Sequence, residues 1–323
     1  MILTVGEALV DLLATRPGEL ATGSTLQLFP GGAPANVAVA AIRLGMRAGI
    51  LARVGDDPLG RVLERTLGEE GVDVRWLAWD RAHPTALAFV TLGRGGERSF
   101  FFPWRETADA FLSPQDVPGR LPADARVLHF AGVSLAREPA RSATRQAVEL
   151  FRAGGRLVSF DPNLRLGLWA DPEEARTVLR EAAALADLVK LNREELAFLE
   201  GEGAEEVLAR RLLERGPRLV VVTAGQAGCG YYAPRLAGRV NAFSVAAVDT
   251  TGAGDAFAGA LLSRLAAYSP RGLSTLEEDG LRSALGFAGA VGAMATLRRG
   301  AMSGLPTLRQ VYRFLGVQGG LPA

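Results

Sequence analysis

Val248-Asp249-Thr250-Thr251-Gly252-Ala253-Gly254-Asp255-Ala256-Phe257 is the stretch on which the fold and chemistry of this chain turn. Residues 245–248 are short and apolar, which predicts a strand. Residues 256–267 are apolar at helical spacing, broken mainly by Ser263 and Arg264. The pattern predicts strand, tight turn and helix N-terminus. Glycines at 252 and 254 remove Cβ atoms where backbone N–H groups turn outward together. At the positive end of a helix such a cluster cradles phosphate oxygens. A plain helix start capped by Thr251 or Asp255 is the structural alternative.

Asp255 has no place against a phosphate, because like charges repel. Its useful partner is a hydroxyl that must lose a proton to attack a γ-phosphate. Phosphoryl transfer needs positioning, charge neutralisation and a group that takes or steers that proton. The stretch therefore reads as an anion hole with a base beside it. Two better-known glycine motifs are excluded. G-x-G-x-x-G fails because its last glycine would fall on Phe257. G-x-x-x-x-G-K-[ST] fails because the one lysine, Lys190, has no glycine near it.

Composition narrows the class. The 323 residues suffice for one large α/β domain or two smaller ones. With 48% hydrophobic and 22% charged residues the chain is of ordinary globular make-up. A formal net charge of +1 gives no electrostatic case for nucleic acid or an anionic membrane. The single cysteine, Cys229, excludes an intrachain disulfide and fits a reducing cytoplasm. Two histidines and one cysteine do not make a typical zinc site. His83 and His129 are read as ordinary core or surface residues. The apolar N-terminus lacks a basic leader and meets Glu7 and Asp11 too early for a signal peptide. The uncharged run 283–297 is too short and glycine-rich to span a bilayer easily.

Taken in order, residues 2–5 and 48–54 read as buried strands, and 58–67 as a helix. Between them Gly31-Gly32-Ala33-Pro34-Ala35-Asn36 opens a helix running to about Leu44, with Pro34 suited to its first turn. Glycines there let a ligand approach the backbone, and Asn36 can both donate to and accept from a hydroxyl. Asp11 is a lone acid in an apolar run; a sugar diol or a surface turn would satisfy it. Residues 85–91 and 99–102 read as strands joined by a turn at 93–96. Phe100, Phe101 and Phe102 cannot share one strand face, so at least one covers something on the other side.

From Arg126 the pattern alternates regularly. Strands are expected at 127–130, 157–160, 188–191 and 219–223. Helices are expected at 139–152, 172–185, 194–199 and 204–215. This is a parallel sheet with helices on both faces, whose functional residues gather at the carboxyl ends of the strands. Four such ends carry polar or glycine-rich loops: Asp161-Pro162-Asn163-Leu164-Arg165, Asn192-Arg193-Glu194-Glu195, Thr223-Ala224-Gly225-Gln226-Ala227-Gly228, and the opening stretch. Oxygen ligands at Asn192 and Glu195 would hold Mg²⁺ directly or through water, and a capping role for Asn192 is compatible with that. Residues 269–279 read as a polar connection, 280–297 as a small-residue helix, and 311–315 as a closing helical segment.

With these residues in view the chain resembles the carbohydrate kinases of the ribokinase and phosphofructokinase-B type. One match is Gly31-Gly32-Ala33-Pro34-Ala35-Asn36-Val37-Ala38, with Gly45 and Gly55 following. The other is Asp249-Thr250-Thr251-Gly252-Ala253-Gly254-Asp255, with Gly259-Ala260 following. Asn192-x-x-Glu195 and Thr223-x-Gly225-x-x-Gly228 join them, so the resemblance covers nearly the whole chain. It implies one three-layer α/β/α domain, residues 1–323, with a mostly parallel central sheet. A small β lid at about 12–29 and 83–105 would close over the sugar and exclude water.

By the same resemblance Asp255 is the base, and the N–H groups of Gly252, Ala253 and Gly254 stabilise the phosphoryl group. Asp11, Gly31, Gly32, Asn36, Phe102, Arg105 and Arg165 bind sugar. Lys190, Asn192, Thr223, Gly225, Gly228 and the helix near Ala288 serve ATP. Asn192 and Glu195 place Mg²⁺. Asp249, Thr251 and Gly300 hold a monovalent cation, K⁺. A cytoplasmic homodimer paired through the lid is also implied. The segments around Asn36, Asp161–Trp169 and Gly228–Tyr232 are most similar to bacterial fructokinases. D-Fructose is thus the expected acceptor, though Pro103-Trp104-Arg105 departs from the aromatic–arginine pair expected after the lid strand. A 2-keto-3-deoxygluconate kinase, with Arg98, Arg105 or Arg165 on the substrate carboxylate, is the alternative. Ribokinases and nucleoside kinases share the apparatus, and a sugar-binding regulator on the same fold is the non-enzyme alternative.

Overall fold

The computed structural model describes residues 1–16, 18–92, 98–103 and 106–316. Its strands are, in chain order, β1 Ile2–Val5, β2 Leu9–Ala14, β3 Leu26–Gly31, β4 Ala48–Gly55, β5 Asp73–Asp80, β6 Leu87–Leu92, β7 Arg98–Phe101, β8 Val127–Ala131, β9 Leu157–Asp161, β10 Leu188–Asn192, β11 Leu219–Thr223, β12 Cys229–Ala233 and β13 Leu236–Val240. Nine of them form one sheet in the order β13-β12-β11-β10-β9-β8-β1-β4-β5. The run from β11 to β5 is parallel, and β12 and β13 are antiparallel at one edge. The other four make a smaller sheet, β3-β2-β6-β7.

The helices are α1 Ala33–Arg43, α2 Pro58–Glu69, α3 Ala140–Ala153, α4 Pro172–Leu185, α5 Arg193–Glu200, α6 Glu205–Glu214, α7 Ala253–Leu265, α8 Pro270–Leu273, α9 Glu278–Ala295, α10 Ala301–Gly304 and α11 Leu308–Phe314. They cover both faces of the large sheet, because its strands are apolar on both. On β1, Ile2 joins the core beneath α1, α7 and α9, while Leu3 and Val5 join the core beneath α3 and α4. On β11, Val221 takes the first side and Val220 and Val222 the second. This two-sided burial is what a parallel sheet demands. Helix starts follow local chemistry. Asp57 caps α2 and Asp171 caps α4, each with proline at the first helical position.

Several expectations need correction. Residues 245–248 form no strand. The amides of Val248 and Asp249 both donate to the Thr296 carbonyl, at 2.8 and 3.0 Å, and Val248 is 61% exposed. With those donors spent on the end of α9, there is no ladder to join. The lid strand expected from Thr85 starts at Leu87, because Thr85 N–H and Oγ1 are both held by Asp57 at 2.8 Å. Strands β5, β12 and β13 were not foreseen, and the polar connection at 269–279 contains α8. The turn at 93–96 lies outside the described residues.

Candidate active site

Helix α7 begins at the anion-hole stretch. Gly252 takes a left-handed conformation, φ 76°, and no side chain caps the helix. A Cβ there would meet Ala301 Cβ at 2.7 Å, so only glycine fits. Neither Thr251 nor Asp255 is the cap. Asp249, 3% exposed, instead accepts from Thr251 N–H and Gly300 N–H, both at 2.8 Å. That staple holds Asp249, Thr251 and Gly300 together. Thr250, Thr251, Gly252, Gly254 and Asp255 line a cavity of about 470 Å³. Ala253 does not line it; its N–H donates to Thr250 O at 3.2 Å.

Helix α1 meets α7 across this cavity. Close approach depends on Gly259, where a Cβ would stand 2.7 Å from Ala40 Cβ and 3.0 Å from Val37 O. Gly32, at φ 102°, carries the chain into α1; a Cβ on it would stand 2.5 Å from the Glu7 carbonyl. One turn on, Asn36 Nδ2 donates to Asp255 Oδ2 at 2.7 Å, joining positions 219 residues apart. Asn36 Oδ1, the amide oxygen, is buried with no hydrogen-bond partner among the described residues, so it can accept from a ligand hydroxyl. Burial pushes the Asp255 carboxyl up to about 6, while the Asn36 amide and the Lys190 cation pull it down. At neutral pH it remains ionised and basic enough to take a proton.

The carboxyl ends of β9 and β10 supply the charged floor. Lys190 Nζ lies 2.7 Å from Asp161 Oδ2, with both side chains under 10% exposed. Burial lowers the Lys190 pKa, but the Asp161 and Glu195 carboxylates outweigh it and hold the ammonium above its ordinary value. A Cβ on Gly254 would be 3.0 Å from that Nζ, so the ammonium faces the α7 N-terminus through the glycine. Asn192 and Glu195 close on each other as a capping box, each accepting the other's N–H at 2.8 Å. Glu195 Oε1 also accepts from Leu164 N–H at 2.9 Å, which fixes the loop carrying Arg165. Burial raises the Glu195 carboxyl.

A single cavity thus gathers Asp11, Gly32, Asn36, Phe102, Arg165, Lys190, Asn192, Glu195, Thr223, Thr251, Gly252, Gly254 and Asp255. Gly31 stands behind it; a Cβ there would overlap the Asp11 carboxylate at 2.5 Å. Gly225 and Gly228, at φ 53° and 81°, shape the β11–β12 turn beside Thr223. Gly228 is also forced by packing, since a Cβ would lie 2.0 Å from Val240 O. Ala288 is fully buried in the core under α7 and is not among the cavity-lining residues. Arg105 lies outside the described residues. Glu7, Asp161 and Asn163 also line the cavity and were assigned no role from sequence. The signal for Glu7 was its position just past β1, a central strand. His129 is buried, held near a pKa of about 4 by desolvation, and hydrogen-bonded to Ser159. His83 stacks on Phe111.

The model of the pfkB family carbohydrate kinases matches residues 1–308. The chain belongs to the pfkB carbohydrate kinase family. It is 44% identical to the fructokinase of Klebsiella pneumoniae, over 97% of this chain and 99% of that one. It is 42% identical to a probable fructokinase-2 of Arabidopsis thaliana, over 98% and 96%. Among solved structures, a fructokinase of Vibrio cholerae O395 bound to fructose, ADP and calcium superposes with a TM-score of 0.88, at 38% identity, over 97% and 98%. The ribokinase-like fold and the carbohydrate kinase class are therefore established for this chain. No helix among the described residues is long and apolar enough to cross a membrane.

Within this kinase the donor set at Asn192 and Glu195 suits a hydrated divalent cation better than a bare one. Their side-chain acceptors already receive backbone N–H groups, and no cluster of three His, Cys, Asp or Glu suited to a metal occurs among the described residues. Each carboxylate oxygen keeps a second lone pair, enough to order metal-bound water.

Proposed function

We propose that this chain is an ATP-dependent fructokinase that transfers the γ-phosphate to the primary hydroxyl giving D-fructose 6-phosphate. The hydrogen bond between Asn36 and Asp255 carries the assignment, because it joins the two glycine-rich helix starts, read as the sugar side and the phosphate side of one site. Asp255 accepts the hydroxyl proton as the oxygen attacks phosphorus. The Gly252 and Gly254 backbone and the Lys190 ammonium oppose charge growing on the transferred group. Asn36, Asp11 and Arg165 orient the acceptor, and Phe102 covers it from the lid. Thr223 and the turn containing Gly225 and Gly228 serve the nucleotide. Asn192 and Glu195 would hold Mg²⁺ through water, and the ion would neutralise phosphate charge.

The similarity to fructokinases over nearly the whole chain supports fructose over the other acceptors. An ATP-coupled panel of fructose, 2-keto-3-deoxygluconate, ribose and adenosine tests it. Fructose should give the highest kcat/KM, and turnover of another acceptor at higher kcat/KM refutes the assignment. We further propose that K⁺ binds at Asp249, Thr251 and Gly300 and that activity falls when K⁺ is replaced by tetramethylammonium; unchanged activity excludes the site. Phe101, 63% exposed on β7, and Leu28, 38% exposed on β3, support a homodimer through the lid. Light scattering that returns one 34.1 kDa chain excludes it.

A further inference from the structure

A second, smaller cavity of about 60 Å³ lies against the acceptor cavity. The two share Glu7, Leu9, Phe102, Val133 and Leu168 as walls. On this measure a water-sized group needs roughly 10–15 Å³, so the space holds roughly four to six such groups. That is room for a hydroxymethyl group and its neighbouring hydroxyl. Its lining is mixed: Leu9, Ala86 and Phe102 are apolar, while Thr107, Ser134 and Arg137 are polar. A carbon chain bearing hydroxyls matches such a wall, and a purely apolar ligand does not.

Two of its lining residues carry carboxyl groups with an unpartnered oxygen. Glu7 is 4% exposed and follows β1, a central strand. One of its oxygens accepts from Ala33 N–H at 3.0 Å, and the other, equally buried, has no hydrogen-bond partner among the described residues. Asp109, also lining the cavity, likewise has one buried oxygen with no such partner. An orphaned buried polar atom is costly, and both belong to residues lining one small cavity. Burial pushes Glu7 up to about 8, helped by the Asp109 and Asp255 charges and opposed by the Ala33 amide. Burial raises Asp109 too, against hydrogen bonds from Thr107 and the Arg137 charge. At neutral pH Glu7 therefore carries a proton it can donate, and Asp109 keeps acceptor capacity. A sugar hydroxyl, which is both donor and acceptor, satisfies such a pair.

We propose that this inner cavity is the far end of the acceptor site, and that Glu7 and Asp109 bind the hydroxyl-bearing end of the sugar remote from the hydroxyl that is phosphorylated. The proposal rests on the fructokinase assignment, for which that remote end is the C1 hydroxymethyl group. The test compares D-fructose with 1-deoxy-D-fructose, first in the wild-type enzyme. Loss of the remote hydroxyl should cut kcat/KM at least about tenfold, chiefly through KM, because the deoxy analogue leaves the carboxyl groups unpaired. Two variants follow. Asp109→Leu removes one partner, and Ala140→Val, also on the cavity wall, narrows the space without removing a polar group. Each should raise KM for fructose about tenfold with KM for ATP within twofold. Asp109→Leu should also shrink the preference for fructose over the deoxy analogue. Equal kcat/KM for the two sugars in the wild type, or an unchanged fructose KM in both folded variants, overturns the inner subsite and leaves the kinase assignment standing. No turnover of fructose by the wild type overturns the fructose assignment and the subsite with it. If a variant fails to fold, the wild-type comparison alone decides.

Discussion

Replacing Glu7 by glutamine isolates the energetic consequence of a carboxyl buried at the end of a central strand. The change keeps an acceptor for Ala33 N–H and removes the titrating group. Glu7 goes from an ordinary value of 4.5 to about 8 on folding, so the folded protein holds a proton that the unfolded chain has released. An acid raised by folding costs stability as pH rises through the window from about 4.5 to 8, and the cost levels off above it. Each pH unit in that window is worth about 1.4 kcal/mol. From pH 5 to pH 8 the wild type should therefore lose about 3–4 kcal/mol relative to Glu7→Gln, as an upper bound. Unfolding entropy of about 2.1 cal/mol/K per residue over 323 residues converts this to roughly 5 °C in Tm. The assay is thermal unfolding of both proteins at pH 5, 6, 7 and 8. Other groups common to both proteins largely cancel, leaving the Asp109 and Asp255 charges as the coupled neighbours. The variant should gain on the wild type steadily with pH. A Tm difference that stays flat from pH 5 to 8, or widens toward acid, refutes the picture of a protonated buried carboxyl.

Two further outcomes follow from the charged floor. With Asp255 raised to about 6, kcat/KM for the sugar should fall about tenfold per pH unit below 6 and level off above it; a limb near pH 4 would show that the base is not desolvated. Lys190→Met should leave Asp161 buried without its partner, costing about 3–5 kcal/mol of stability and about 10²–10³ in kcat. Restored activity in the double variant with Asp161→Asn would show that the ammonium serves the pair and not the phosphoryl group.

Much of the frame was legible because it is written in local chemistry. The βα alternation from Val127 to Thr223 appears with boundaries within about one residue, since proline, aspartate and glycine mark each turn. The pairing of the two glycine stretches was legible only through family resemblance. Nothing local to Asn36 indicates that its amide donates to a carboxylate 219 residues away. What stayed hidden was tertiary. The apolar run 245–248 looks like a strand, but the end of α9 claims the amides of Val248 and of Asp249 just after it. Strand β5 alternates weakly and was invisible without β4 beside it. Glu7 and Asp161 sit next to apolar strands, as structural acids often do. Only the cavity between β1, β9 and the two helix starts gives them a role.

The central claim is that Asp255 takes the acceptor's proton beside the α7 N-terminus. It is tested most directly by steady-state turnover of fructose with Asp255→Asn, alongside ATP affinity measured by calorimetry. The substitution preserves shape and the contact with Asn36 while removing the base. We expect kcat to fall by about 10²–10⁴, with ATP affinity within about threefold of the wild type. Turnover within tenfold of the wild type, with fold and nucleotide binding intact, contradicts the account.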